Sequence, residues 1–468
     1  MLYFFSYSVT FAKPIIVAPV RIWDSEKQIF SEQKQITIDR GKILKIQNFA
    51  LPKIPVQAQS KPSYYALPGF CDAYVTLGVN PWGDQASVDS LKLALQSFVS
   101  HGFTNVMSVA DGKWVEKAKS NVDKSLWKGP NLHLSRQPIV PESEESIPDG
   151  LYKIIRSDED MRSYLQAKTS FKTHIFQRDL GGYIPDIRFL YKLKTENKIG
   201  DDWIIHTFAD PLSTQEAIAT GWDAIYHPIN GDFTSVQLRK VKWSPLMSVY
   251  YYQSSLSQKS WAHEYSEYKK ISPFFKVHYS EVSKEISESL IQSDEKNIQA
   301  KKEFETYRTQ FLSREFMKNN LIFGSGAGHP LVYPGAGAYR EIKIWEDVFR
   351  SWDKNTLNSE SEGGNESSDG KKSGFMDSLR RLFGLEKSVE TIAIPKKDSG
   401  KIPDHRKYYL KAITENTCRF LQAGHLGKIG EGLEANLILY ERNPLSDSEG
   451  IMKPSVVYVQ GRSHSVQK

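Results

Sequence analysis

The chain has 468 residues, 40% hydrophobic and 25% charged, with 23 Tyr, 23 Phe and 10 Trp, which excludes a disordered chain and leaves a globular protein. At about 100–200 residues per domain, the length allows about three domains or one large α/β barrel with additions. The net charge of +6 comes from 61 basic and 55 acidic residues without a Lys/Arg block, so nucleic acid is not an expected partner.

Met1 to Ala12 is aromatic-rich but carries no basic residue ahead of an apolar core, and Ser6, Tyr7, Ser8 and Thr10 interrupt it. A signal peptide needs that charge, so the cytoplasm is expected rather than export. No run of about 18 apolar residues exists, so no transmembrane segment is expected. Short strands follow at Ile15–Val20, Gln35–Asp39 and Gly41–Ile46, the last two reading as a hairpin with Gly41 at the turn. The C-terminal end mirrors this with Glu434–Tyr440 and Val456–Val459. Strands at both ends predict a small β-sandwich built from residues 1–66 and 426–468.

Between them, strand-like runs alternate with helical stretches. The runs are Tyr74–Leu77, Asn105–Val109, Leu132–Leu134, Thr173–Phe176, Trp203–Thr207, Ala224–His227, Leu246–Tyr250 and Leu321–Phe323. Eight such runs are what a (β/α)8 TIM-like barrel requires, here over 67–425. Ser280 to Met317 has apolar residues at three- and four-residue spacing and reads as a solvent-facing helix. Residues 355–404 form a polar insert, expected to be disordered at its start. It leads into Phe375–Phe383, whose apolar face beside Arg380 and Arg381 suggests a short amphipathic helix. Cys71 and Cys418 are far apart and in no CxxC pattern, so neither a disulfide framework nor a cysteine zinc site is read from them. Any metal would need His and carboxylate.

Several segments carry a pattern together. They are Leu67-Pro68-Gly69-Phe70-Cys71-Asp72-Ala73-Tyr74-Val75-Thr76, Gly102-Phe103-Thr104-Asn105-Val106, the strand ends at His206 and His227, and Gly324-Ser325-Gly326-Ala327-Gly328. Thr414-Glu415-Asn416, Leu426–Gly432 and Asn443-Pro444-Leu445 complete the set. With them the chain resembles the metal-dependent amidohydrolase superfamily, especially its imidazolonepropionase-like and prolidase-like members, over nearly its whole length outside 355–404. The resemblance implies an α/β barrel with a composite β domain, and an ancestral hydrolysis of a C–N bond, a non-peptide or dipeptide amide, by metal-activated water.

The same resemblance marks departures. Its two first-strand histidines are Tyr74 and Thr76 here, and its strand-eight Asp, both ligand and base, is Gly326. A phenol of pKa ~10 is a poor ligand at neutral pH, and glycine has no side chain to offer. His206 and His227 stand at metal-ligand positions, and the strand-four ligand is either Lys172 or His174, which share a face. Asp72, Asp111 and His329 lie near strand ends with easy structural roles.

Three readings stay open. One is a divergent or inactive homologue that keeps a small-molecule ligand in the barrel mouth. The second is a mononuclear zinc hydrolase using His174, His206 and His227, since three His plus an open position suit catalytic zinc. The third is a non-catalytic scaffold using the insert. The cofactor is accordingly one zinc or none. A second copy of the chain is a candidate partner.

Overall fold

The computed structural model describes residues 13–50, 63–78, 85–140, 152–166, 173–176, 203–206, 211–219, 221–255, 294–361 and 404–466, apart from scattered single and paired positions. The first strands are β1 (Ile15–Asp24), β2 (Ile29–Asp39), β3 (Lys42–Asn48), β4 (Tyr64–Pro68) and β5 (Phe70–Val75). Then come α1 (Val88–Ser100), β6 (Phe103–Ser108), α2 (Lys113–Asp123), β7 (Asn131–Leu134), β8 (Ile139–Val140), β9 (Lys153–Ile154) and α3 (Asp158–Gln166). The middle holds β10 (Thr173–Phe176), β11 (Trp203–His206), α4 (Pro211–Ala219), β12 (Ala224–Ile225), α5 (Ser235–Leu238), β13 (Lys242–Trp243) and α6 (Met247–Ser255). The rest is α7 (Asp294–Leu312), α8 (Gly337–Ser361), α9 (Asp404–Lys411), α10 (Thr417–Phe420), β14 (Leu437–Tyr440), β15 (Val456–Val459) and β16 (Arg462–Ser465).

The two chain ends share one seven-stranded sheet, ordered β16-β15-β14-β4-β1-β2-β3. A sandwich of two sheets was expected; the described strands instead form a single sheet that curls until its hairpin turns meet. In both turns a non-glycine and a glycine take positive φ, Arg40 with Gly41 and Gln460 with Gly461, the conformation that matches the twist of the flanking strands. A Cβ on Gly461 would stand 2.8 Å from the Cα of Gly41, so a side chain there would hold the turns apart. Ala435 N donates to Gly41 O, and Gly461 N to Ala435 O. Curling encloses a core of Val20, Ile22, Ile36, Ile38, Leu437 and Leu439.

The remaining strands pair in parallel: β5 with β6, β6 with β7, β8 with β10, β10 with β11, β11 with β12, and β12 with β13. Leu321 bridges to Trp243, and Ala327 to Val75. Ala73 N donates to Phe323 O and Thr76 N to Ala327 O, so the Leu321–Ala327 segment lies between β13 and β5. Helices follow the strands in a mixed α/β order. An aromatic chain of Phe98, Phe103, Phe323, Trp345, Phe311 and Trp243 packs strands against helices at centroid spacings of 5.2–6.3 Å.

Three further expectations change. Leu246–Tyr250 is not a strand: β13 lies at Lys242–Trp243, and Met247 begins α6. An apolar run this short suits a strand or a buried helix equally. The choice is made by Glu341, whose buried carboxylate accepts from Met247 N and Ser248 N and so satisfies two helix-end donors. The helix read over Ser280 to Met317 is described only as α7, with Phe304 and Phe311 buried. Most importantly, Cys71 and Cys418 are joined as a disulfide across 347 residues. No local spacing could signal a pair brought together only by the tertiary fold.

Helix α8 carries the start of the polar insert to Ser361; Phe375–Phe383 lies outside the described residues. Among the described residues no helix is long and apolar enough to cross a membrane.

Candidate functional site

Strand β5 positions the first residues of the site. Tyr74 is buried, 8% exposed, with its ring edge-on to Tyr226 at 5.2 Å and stacked on His329 at 5.8 Å. Burial away from water holds its phenol well above the ordinary value. The ring therefore stays neutral. Thr76 turns its hydroxyl to Ala327 O at 3.3 Å, a partner in the neighbouring strand segment.

Gly326 has φ +68°, and a Cβ there would lie 2.5 Å from Cγ2 of Val249. The backbone conformation and the space beside it both fit glycine alone.

Around Tyr74 sits a group of buried polar atoms. Asp72 Oδ1 accepts from Tyr74 N at 3.1 Å and Ser325 N at 3.0 Å. Asp72 Oδ2, Tyr226 Oη, Ser244 Oγ and His329 Nε2 are buried and have no hydrogen-bond partner among the described residues. They share one neighbourhood. A Cβ on Gly324 would meet both Ser244 Oγ and Tyr74 Cβ, and the charges of Asp72 and Tyr74 reinforce burial in raising the Tyr226 phenol. Desolvation raises Asp72 to about 7 against its two backbone donors, and it lowers His329 to about 4. At neutral pH the cluster is thus two phenols, a neutral imidazole, a hydroxyl and a carboxyl near its titration point. It offers hydrogen bonds and aromatic faces.

His227 is buried, and its Nδ1 lies 2.7 Å from Pro228 O. That contact puts the ring proton on Nδ1 and makes Nε2 the basic nitrogen. For His206 and His174 the backbone register is fixed: Phe176 pairs with His206, and His206 with Ile225. His174 stands two residues before that level in β10, and His227 follows two residues after Ile225, past the end of β12. Lys172 lies outside the described residues. Asp111 has the structural role read for it: Oδ1 accepts from Ser108 Oγ at 2.6 Å and Oδ2 from Ser135 N at 3.1 Å. Among the described residues no group of three or more His, Cys, Asp or Glu could hold a metal ion.

Sequence reasoning missed Tyr226 and Ser244. Tyr226 adjoins His227 in a matched strand end, which was the one available signal; Ser244 had none.

No family model matches the chain, and no curated protein matches it. Solved structures do. A prolidase structure complexed with N-methylphosphonate-L-proline aligns with a TM-score of 0.64 at 14% identity, covering 97% of this chain and 100% of that one. The chain has the amidohydrolase fold. A putative prolidase from Bifidobacterium longum aligns over 97% of this amidohydrolase-fold chain and 94% of its own, with a TM-score of 0.64 and 13% identity. The ochratoxinase of A. niger covers 97% and 96%, with a TM-score of 0.61 and 14% identity.

Proposed function

We propose that this chain is a divergent amidohydrolase-fold protein that has given up metal-dependent C–N hydrolysis and keeps its barrel mouth as a small-molecule binding site. The observation that carries this is the pairing of Tyr74 and Gly326. One fills a ligand position with a neutral ring stacked on His329, and the other has no room for a carboxylate beside Val249. The proposal includes closure of the parallel strands into a (β/α)8 barrel, supported by the pairings from β8 through β13 to Leu321 and from Ala327 through β5 to β7. It assigns 67–425 to the barrel and the two chain ends to a composite β domain, supported by the shared sheet. A ligand for the unpartnered cluster would carry both donors and acceptors, because the cluster presents a carboxyl, two hydroxyls and an imidazole nitrogen.

A one-zinc hydrolase using His174, His206 and His227 is the second reading, favoured by the His227 tautomer that leaves Nε2 basic. Elemental analysis of protein purified without chelator separates the two. The divergent reading expects no stoichiometric zinc and no hydrolysis of Xaa-Pro dipeptides. About one tightly held zinc per chain, lost in His206→Ala, would sink it. Deleting 355–390 and measuring ligand binding tests whether the insert serves the site or a scaffold role.

A further inference from the structure

The chain has only two cysteines, and the fold uses both in one bond. Cys71 lies on β5 and Cys418 on α10, with Cα atoms 5.4 Å apart and 347 residues between them. Both are 0% exposed. The bond sits where the parallel strands meet the C-terminal helices. Phe323 N donates to Thr417 Oγ1 at 2.7 Å, and Asn416 Nδ2 donates to Leu321 O at 3.0 Å. The two residues before Cys418 thus already hold the Leu321–Phe323 segment, and the disulfide adds β5, the strand that carries Asp72 and Tyr74. Gly427 closes the surroundings: a Cβ there would be 3.1 Å from Cys418 Sγ.

We propose that the disulfide-closed chain is the working form, that it matures in an oxidising compartment, and that the bond is a permanent staple rather than a reversible switch. This runs against the cytoplasmic expectation, which rested on the missing basic residues near Met1 and on nothing in the cysteine chemistry. Stable disulfides persist where the surroundings are oxidising, and reducing compartments keep thiols free. Buried reduced cysteines would pack as small apolar groups, but they would not need Cα atoms at bonding distance across two separate elements.

The chemistry balances as thiol–disulfide exchange. The Cys71 or Cys418 thiolate attacks a disulfide-bearing oxidant, giving a mixed disulfide and releasing one oxidant thiol. The second cysteine thiolate displaces the other oxidant sulfur, so two electrons and two protons leave the chain and the oxidant departs as a dithiol. Exchange requires in-line access to sulfur. Neither sulfur is exposed in the folded chain, so the bond forms before the strands and α10 close over it. It is then sealed against reductant.

The test has two arms. Protein recovered by acid quench from the cells that naturally make it is denatured and alkylated with N-ethylmaleimide, with and without prior reduction, and its intact mass is read. The expected result is no adduct without reduction and two adducts after it; two adducts without reduction would overturn the oxidising-compartment inference. In the second arm, oxidised protein is held in dithiothreitol with and without denaturant. Resistance for hours in native buffer, with opening in minutes in denaturant, supports the staple. Rapid opening in native buffer would overturn it.

Discussion

The curled terminal sheet and the parallel strands β5 and β6 handle polar residues in opposite ways. In β2, Ile36 and Ile38 are buried while the residues between and before them keep contact with water. A strand with one wet face places polar side chains there at little cost. Every residue of β5 and β6 is buried, so Asp72, Thr104, Asn105 and Ser108 must find partners inside the protein. Most do: Asn105 Nδ2 donates to Thr104 Oγ1 at 3.0 Å, Asn131 Nδ2 to Asn105 Oδ1 at 3.2 Å, and Ser108 Oγ to Asp111. Asp72 keeps one oxygen without a partner. In strands buried on both faces, an unsatisfied polar atom is the exception that points to a ligand, an ordered water or a strained site.

That contrast can be broken by substitution. The largest effect is expected for Phe103→Ala in β6, which removes a buried ring packed on Phe98, Phe70 and Phe323. The loss should be about 3–5 kcal/mol, read from the urea midpoint and slope. Gly326→Asp comes next, at about 2 kcal/mol or more, because it adds a Cβ at positive φ against Val249. The divergent reading expects that variant to gain no zinc by calorimetric titration.

Asp72→Asn sharpens the comparison through pH. Asp72 is raised from 3.8 to about 7, so the folded chain holds a proton that the unfolded chain releases. Its contribution to stability falls as pH rises from about 4 to about 7, and the loss is then complete. Asp111 and Glu341, also raised to about 7 by burial, act in the same direction. His329, lowered from 6.5 to about 4, acts oppositely, losing stability as pH falls through that interval. The informative quantity is therefore the difference between Asp72→Asn and wild type, which should shift in favour of the variant between pH 4 and pH 7. A constant difference across that range would show that Asp72 titrates alike in the folded and unfolded chains. The smallest effect belongs to the terminal sheet: Ile16→Thr, at a side chain 63% exposed, should change stability by about 0.5 kcal/mol or less.

The sequence announced the terminal strands well, because Gln35–Asp39 alternates cleanly and Gly41 marks the turn. It misplaced the strand near Leu246 because the carboxylate that caps α6 comes from Glu341, 94 residues away. Of the candidate site, Tyr74, Thr76 and Gly326 were legible as residues of a motif. Tyr226 and Ser244 were not, since their importance lies in having no partner, and that is a property of surroundings rather than of residue type.

The sequence by itself determined the strand patterns at both ends, the alternating middle, and the side-chain chemistry available at Tyr74, Thr76 and Gly326, because each is carried by residue identity and short spacing. Only the tertiary structure decided that the terminal strands curl into one sheet, that Gly326 lacks room for a carboxylate, and that Cys71 meets Cys418. Those facts depend on which distant atoms share a volume, and no local pattern records the geometry of a 347-residue closure.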